Sequence, residues 1–354
     1  MKSKLIKTIG LTSLTAIMGT LAAPIFAATH SSTVAFLMPD QASTRYELHD
    51  YPGFKKAMNK RCPQCKIIYQ NANADVALQQ QQFNAAITQG AKVIVLDPVD
   101  SSAAASLVNM AQSEGIKVIA YDRPIPAKAA NYYISFDNKG IGRSIAQSLV
   151  KDLERTGVPK DKGGIIEING SPTDGAARLV RAGVHEGLKN SGYTTLAEYD
   201  TPNWVPAKAQ SWTSGQIARF GSNIHGVVAA NDGTGGAAVA AFKAAGVTPI
   251  PPVTGDDATI AGLQLIIAGD QYNTISKPSE IVARAAAKVA VEMLHGKTPK
   301  AQSVVYNTPS ELFVPKVITQ HNIKKLMFDT GIASAKQVCI GRYLADCKKL
   351  GITR

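Results

Sequence analysis

Asp122 and Arg123 stand directly after a short apolar strand, Val118 to Tyr121, and Asp137 and Asn138 end a second strand just beyond it. Strands of a parallel sheet deliver whatever follows them to one carboxyl edge, where open α/β folds hold ligands. A forked cationic donor, carboxylates and an amide gathered there suit a neutral polyhydroxy ligand better than a phosphate or a metal ion. Rival chemistries have weaker signatures. Gly233-Thr234-Gly235-Gly236-Ala237-Ala238 follows a strand, opens a helix and fits G-x-G-x-x-A, with Asp256 twenty residues after Gly236, the pattern of a dinucleotide site. Asn231-Asp232 interrupts that unit, and it lies deep in the chain rather than opening a cofactor domain. A Rossmann-type oxidoreductase is therefore the lesser alternative. The glycines read instead as a tight strand-to-helix turn beside a ligand. Asp256 and Asp257 are paired acids, but chain neighbours rarely flank one glycosidic bond from opposite sides. Ser171 in NGSPTDG lacks the G-x-S-x-G elbow. His30, His49, His185, His225, His295 and His321 show no metal-ligand spacing. No catalytic set emerges, and no cofactor or metal is called for.

The elements that must position these residues alternate in type. Ser32–Met38 reads as a strand, followed by a helical stretch around Asp50–Lys60. KIIYQ, the Gln-rich helix Asp75–Thr88, the buried strand KVIVLD and the helix Ala103–Glu114 come next. The alternation resumes with KGGIIEING, the helix Ala176–Asn190, TTLAEYD and the helix Ala207–Phe220. HGVVAAND, Gly235–Ala245, PPVTGDD, Ile260–Ala268 and QYNTIS complete a second set. Such alternation argues for α/β architecture with parallel sheets covered by helices. Two similar sets, divided near Asp137, suggest two lobes of similar design. A further helix, Ser279–His295, follows KPSE, a helix start with proline and an acid in its first turn.

The 354 residues suffice for two compact domains,. Residues 1–28 are set apart: Lys2, Lys4 and Lys7 precede the mostly apolar Ile9–Ala23, and PIFAATH ends in small residues. This is the pattern of a secretory signal peptide cleaved after Ala27 or Ala28. Thr12, Ser13, Thr15, Gly19 and Thr20 dilute the apolar run, which argues against a retained anchor. Removing the three leader lysines lowers the formal charge from +12 to +9. The remainder is spread without a basic block, so nucleic acid is not an expected partner. Cys62 and Cys65 sit in CPQC, and Cys339 and Cys347 in CIGRYLADC. Two local disulfides, a zinc site and a redox CxxC compete. CPQC follows a helix instead of opening one, the wrong setting for a redox thiol, and export favours oxidised pairs.

Several motifs fall in the order of a known family. TRYE carries Arg45 and Tyr46, YDR carries Arg123, and NGSPTDGAA carries Asp174. PNWVP carries Trp204, AAND carries Asn231, TGDDAT carries Asp257, and ISKPSE carries Lys277. From about Ser32 to Met327 the chain resembles the periplasmic sugar-binding proteins of ABC importers, the D-xylose-binding type in particular. That resemblance implies a type I periplasmic binding protein fold: two similar lobes, each a parallel sheet flanked by helices, joined by a hinge with a ligand cleft between them. It divides the mature chain into 29–137 for the first lobe, 138–276 for the second, 277–310 returning to the first and 311–354 returning to the second with the C-terminal tail.

The resemblance implies that Trp204, with Tyr46, stacks on a sugar ring, while Arg45, Arg123, Asp174, Asn231, Asp257 and Lys277 hold hydroxyls. The chemistry agrees, because a pyranose offers an apolar C–H face to aromatic rings and a rim of hydroxyls to forked donors and acceptors. The implied partners are a monosaccharide, D-xylose first, and an ABC permease of the inner membrane, with a chemoreceptor or sensor kinase as an alternative reader. The implied protein is a periplasmic monomer without a cofactor. Two positions depart from the family's pattern. Ala176 stands where an amide is usual, and Asp256 replaces the glutamine of Gly-Gln-Asp. Either change shifts or broadens the preference toward arabinose, ribose, glucose or galactose.

Overall fold

The computed structural model describes residues 32–353, and the leader read at 1–28 lies outside them. Most early strands are short β-rich runs closed by a polar residue. β1 (Thr33–Met38), α1 (Tyr51–Arg61), β2 (Lys66–Asn71), α2 (Val76–Thr88), β3 (Ala91–Leu96), α3 (Ala104–Ser113), β4 (Lys117–Tyr121) and β5 (Tyr132–Phe136) follow in order. β1 is buried throughout and pairs in parallel with both β2 and β3, which explains its unbroken run of core-type residues. Asp75 accepts the Leu78 N–H at 3.0 Å and so starts α2, the usual work of an N-cap aspartate.

The second set is α4 (Asn138–Arg155), β6 (Gly164–Asn169), α5 (Gly175–Leu188), β7 (Thr194–Asp200), α6 (Pro206–Phe220), β8 (Ile224–Ala229), α7 (Asp232–Ala244), α8 (Ile260–Ala268) and β9 (Asn273–Ser276). After it come α9 (Ser279–Leu294), β10 (Ser303–Val305), β11 (Thr308–Phe313), β12 (Lys316–Thr319), α10 (Ala335–Val338) and α11 (Leu344–Lys349). One sheet has the order β10-β11-β5-β4-β3-β1-β2, parallel except for β10. Another has β7-β6-β8, all parallel, and β9 pairs antiparallel with β12. Val253 bridges Val227 of β8, and Tyr272 donates its N–H to the Val253 carbonyl at 2.8 Å, so the smaller pieces form one layer. Helices flank both layers, the arrangement expected from the sequence.

The chain passes between the layers three times. β5 leads through Asp137 into α4, β9 leads through Lys277 into α9, and β11 leads through Val314 and Pro315 into β12. α9 packs on α1 and on β3, β4 and β5, while α4 packs on α5. The α4–α5 crossing is close because of glycines: a Cβ on Gly142 would lie 1.9 Å from the Val180 carbonyl oxygen, and one on Gly183 would lie 2.0 Å from that of Lys139.

Three details differ from the sequence reading. The last return was placed at 311, but β11 stays paired with β5 through Phe313. PPVTGDD does not form a strand; prolines 251 and 252 have no N–H to give a ladder, and only Val253 pairs. Gly233–Gly236 do not make a turn. They lie inside α7, which Asn231 caps by accepting the Thr234 N–H at 2.9 Å. Gly235 is needed for contact: its Cβ would stand 2.6 Å from the Thr254 carbonyl oxygen.

Both cysteine pairs are disulfides, Cys62–Cys65 and Cys339–Cys347. The second lies within a small core of its own, in which Val338, Met327, Ile323 and Ile352 pack on Leu263 and Ile266 of α8. The C-terminal segment is thus a folded cap on α8.

Candidate functional site

Every residue singled out from the motifs stands where a strand ends. Arg45 and Tyr46 follow β1, Arg123 follows β4, Asp174 follows β6, Trp204 follows β7, Asn231 follows β8, and Lys277 follows β9. Asp257 follows the bridged Val253. Parallel strands therefore bring all eight to one cleft, which they line together with Asp122, Asn138, Ala176 and Asp256.

The cations of the cleft are all paired. Arg45 Nη2 lies 2.5 Å from Asp122 Oδ2. Arg123 donates to Asp40 Oδ2 at 2.7 Å, and its Nε lies 3.1 Å from Asp174 Oδ2 and 3.5 Å from Asp97 Oδ1. Lys277 Nζ sits between Asp256 Oδ2 at 2.9 Å and Asp257 Oδ1 at 2.8 Å. Tyr46 donates its hydroxyl hydrogen to Asp122 Oδ2 at 3.3 Å, and the Arg45 guanidinium stacks 5.0 Å from the Tyr46 ring centroid. Asp174 carries two jobs at once. Its Oδ1 accepts the Ala176 N–H at 2.7 Å, capping α5, while its Oδ2 accepts the Trp204 indole N–H at 2.9 Å.

Electrostatics follow from this pairing. Burial works against the Asp122 charge, but Arg45, Lys277 and Arg123 outweigh it and hold its carboxyl below the usual range. Burial also opposes the Lys277 charge, yet Asp256 and Asp257 outweigh it and raise its pKa above that of an ordinary lysine. Asp256 is pushed up by burial against the pull of Lys277. Asp256, the extra acid, thus shares Lys277 with Asp257. A site with no unpaired cation is a poor phosphate trap, and a good place for groups that both donate and accept hydrogen bonds.

Three lining residues hold positive φ: Asp122 at 58°, Trp204 at 57° and Asp257 at 91°. Aspartate tolerates that region, whereas a tryptophan there is an outlier, and such strain costs on the order of 1–3 kcal/mol. What holds Trp204 is visible: its ring covers Gly170, where a Cβ would come within 2.1 Å of Cζ2. The indole is half-buried, with its N–H on Asp174, its six-membered ring over Gly170 and part of its surface lining the cleft.

The structure adds residues that the motif list lacks. Asp122 lines the cleft and pairs with Arg45, and Asn138 lines it while donating to Ser135 Oγ at 3.1 Å. Asp40 and Asp97 stand behind Arg123. All four follow strands: Asp122 and Asn138 stand at the two strand ends already read from the carboxyl-edge rule, and the same rule applied to β1 and β3 would have found Asp40 and Asp97.

A family model described as the periplasmic binding protein domain matches residues 34–298. The chain belongs to that family. It is 35% identical over 274 residues to the D-xylose-binding periplasmic protein of Escherichia coli, covering 75% of this chain and 81% of that one. It is 30% identical over 341 residues to a multiple sugar-binding periplasmic receptor of Rhizobium radiobacter, covering 89% of this chain and 94% of the relative. Among solved structures it is similar to an ABC transporter solute-binding protein from Clostridium phytofermentans holding β-D-glucose, with a TM-score of 0.79 and 25% identity over 87% of this chain and 100% of that one. The family and these relatives are substrate-binding proteins, not enzymes. The relatives are periplasmic, and among the described residues no helix is long and apolar enough to cross a membrane.

Proposed function

We propose that this chain is the periplasmic binding component of an ABC sugar importer, and that it takes one neutral monosaccharide, D-xylose in the first place. The observation that carries this reading is the cleft itself. Its three cations are each bound to acids, and a half-buried indole stands beside them. A sugar ring lies on Trp204 with Tyr46 nearby, and Arg45, Arg123, Asp174, Asn231, Asp257 and Lys277 share its hydroxyls. Asp122 and Asn138 join them from the first sheet and from the start of α4.

The layers act as two lobes, 29–137 with the return from 277, and 138–276 with the C-terminal segment. The three passages form a hinge, and closure buries the hydroxyls and creates the face read by the permease. A wider aldose preference is the second reading. It is favoured by Ala176, which brings no side-chain amide to the cleft, and by the 30% identity to a multiple sugar-binding receptor.

A thermal-shift series over D-xylose, D-ribose, L-arabinose, D-glucose and D-galactose tests the proposal. A ligand that binds only the folded state raises the melting temperature with its concentration, in proportion to RT ln(1 + [L]/Kd). The largest shift with D-xylose supports the first reading, and comparable shifts with several aldoses support the second. A flat response to all five defeats both.

A further inference from the structure

Glu167 of β6, His185 of α5 and Glu198 of β7 are far apart in sequence, yet their ligating atoms lie within 4.8 Å of one another. His185 Nε2 is 2.9 Å from Glu198 Oε1 and 3.4 Å from Glu167 Oε2. Glu167 is 1% exposed. Its Oε1 accepts the Thr195 hydroxyl hydrogen at 2.5 Å, while its Oε2 is buried without a hydrogen-bond partner and faces the imidazole. Leaving a buried carboxylate oxygen in that state is unfavourable. Glu198 is oriented as well, because Asn169 donates to its Oε1 at 2.8 Å. Outer donors that fix carboxylates around an imidazole are the usual supports of a metal site.

We propose that Glu167, His185 and Glu198 form a binding site for a divalent cation of the zinc class. One imidazole and two carboxylates suit Zn²⁺, Ni²⁺ or Co²⁺ better than Mg²⁺ or Ca²⁺, which take oxygen ligands. Zinc holds such donors at about 2.0–2.2 Å, so donors around a tetrahedral ion stand roughly 3.3–3.6 Å apart; the 3.4 Å spacing to Glu167 matches, and the 2.9 Å spacing to Glu198 would have to open by about half an ångström. Arg181 is the competitor, with Nε 2.7 Å from Glu198 Oε1. Its side chain is 40% exposed and also reaches Asp200 Oδ2 at 3.4 Å, so it has an acid to move to when a cation takes Glu198. The bound ion would tie together β6, β7 and α5, the elements whose ends carry Asp174 and Trp204. The proposal stands apart from the sugar reading.

Isothermal titration of the exported protein, stripped with a chelator and dialysed, with zinc chloride alone tests it. The wild type binds one zinc ion. His185→Gln, at a half-exposed position where folding is easily checked by its melting curve, weakens binding at least tenfold, and Arg181→Ala binds at least as tightly as the wild type. Cobalt gives a ligand-field absorption band in the wild type that His185→Gln removes. No saturable zinc binding by the wild type overturns the proposal and leaves a polar network only. Zinc binding or a cobalt band that survives His185→Gln also overturns it, because another histidine then holds the ion.

Discussion

The indole N–H of Trp204 donates to Asp174 Oδ2 at 2.9 Å, and Arg123 Nε reaches the same oxygen at 3.1 Å. One carboxylate therefore fixes the ring, anchors a guanidinium from the other sheet and, through its second oxygen, starts α5. Three partners thus fix its orientation, and a group held in place by the protein lowers the ordering cost of binding.

Trp204→Ala is expected to weaken sugar binding by about 1–3 kcal/mol, roughly five- to 150-fold, with little change in melting temperature. Trp204→Phe, which keeps an apolar face and loses the bond to Asp174, should fall between the two. Titration calorimetry on the three proteins checks this order. Unchanged affinity in Trp204→Ala removes the ring from the site.

Lys277 lies buried between two acids, so Lys277→Met strands both charges and should cost about 3–5 kcal/mol in urea unfolding. Adding Asp256→Asn should recover part of that loss, because one stranded charge disappears. A double variant as unstable as the sum of the singles would show that the pair is not coupled.

Asp232 is buried, with Thr259 N and Oγ1 at 2.8 and 3.0 Å and Gln271 Nε2 at 2.9 Å. Burial is the main cause that pushes its carboxyl up to about 7. The sign follows: between the unfolded value near ~4 and 7 the folded state holds the extra proton, so stability is full at low pH and falls as pH rises through that window. Asp232→Asn should remove this decline, at most about 4 kcal/mol, from the difference between the two pH profiles of unfolding. Parallel profiles from pH 4 to 8 contradict it.

The Cys339–Cys347 bond closes a short loop inside the core on α8. Replacing both cysteines by serine should destabilise that cap by about 2–3 kcal/mol and expose cleavage sites after Met327 to limited proteolysis, with sugar affinity retained. Peptide mapping without reductant should recover both Cys62–Cys65 and Cys339–Cys347. Protease resistance equal to the wild type would mean that the cap does not depend on its disulfide.

Much of this arrangement was readable in the sequence because local rules and ligand geometry coincide. Strands such as Val118–Tyr121 declare themselves by composition, and parallel pairing sends Arg123, Asp174 and Asn231 to one edge without further information. What stayed hidden depends on contacts remote in sequence. The proline-broken stretch at Val253 has the composition of a strand but too few donors to make one. The glycines of α7 look like a turn motif and instead admit Thr254 against the helix. His185 has no ligand spacing along the chain, and only the β6–β7 pairing and the α5 crossing set it beside Glu167 and Glu198. The last two strands and the cap on α8 have short, mixed patterns whose partners lie on distant elements.

Isothermal titration of the purified protein, lacking residues 1–28, with D-xylose puts sugar binding to its most direct test. Saturable one-to-one binding in the micromolar range or tighter, stronger than for D-glucose, is the expected result. Absence of binding heat with D-xylose and with every other aldose would contradict it.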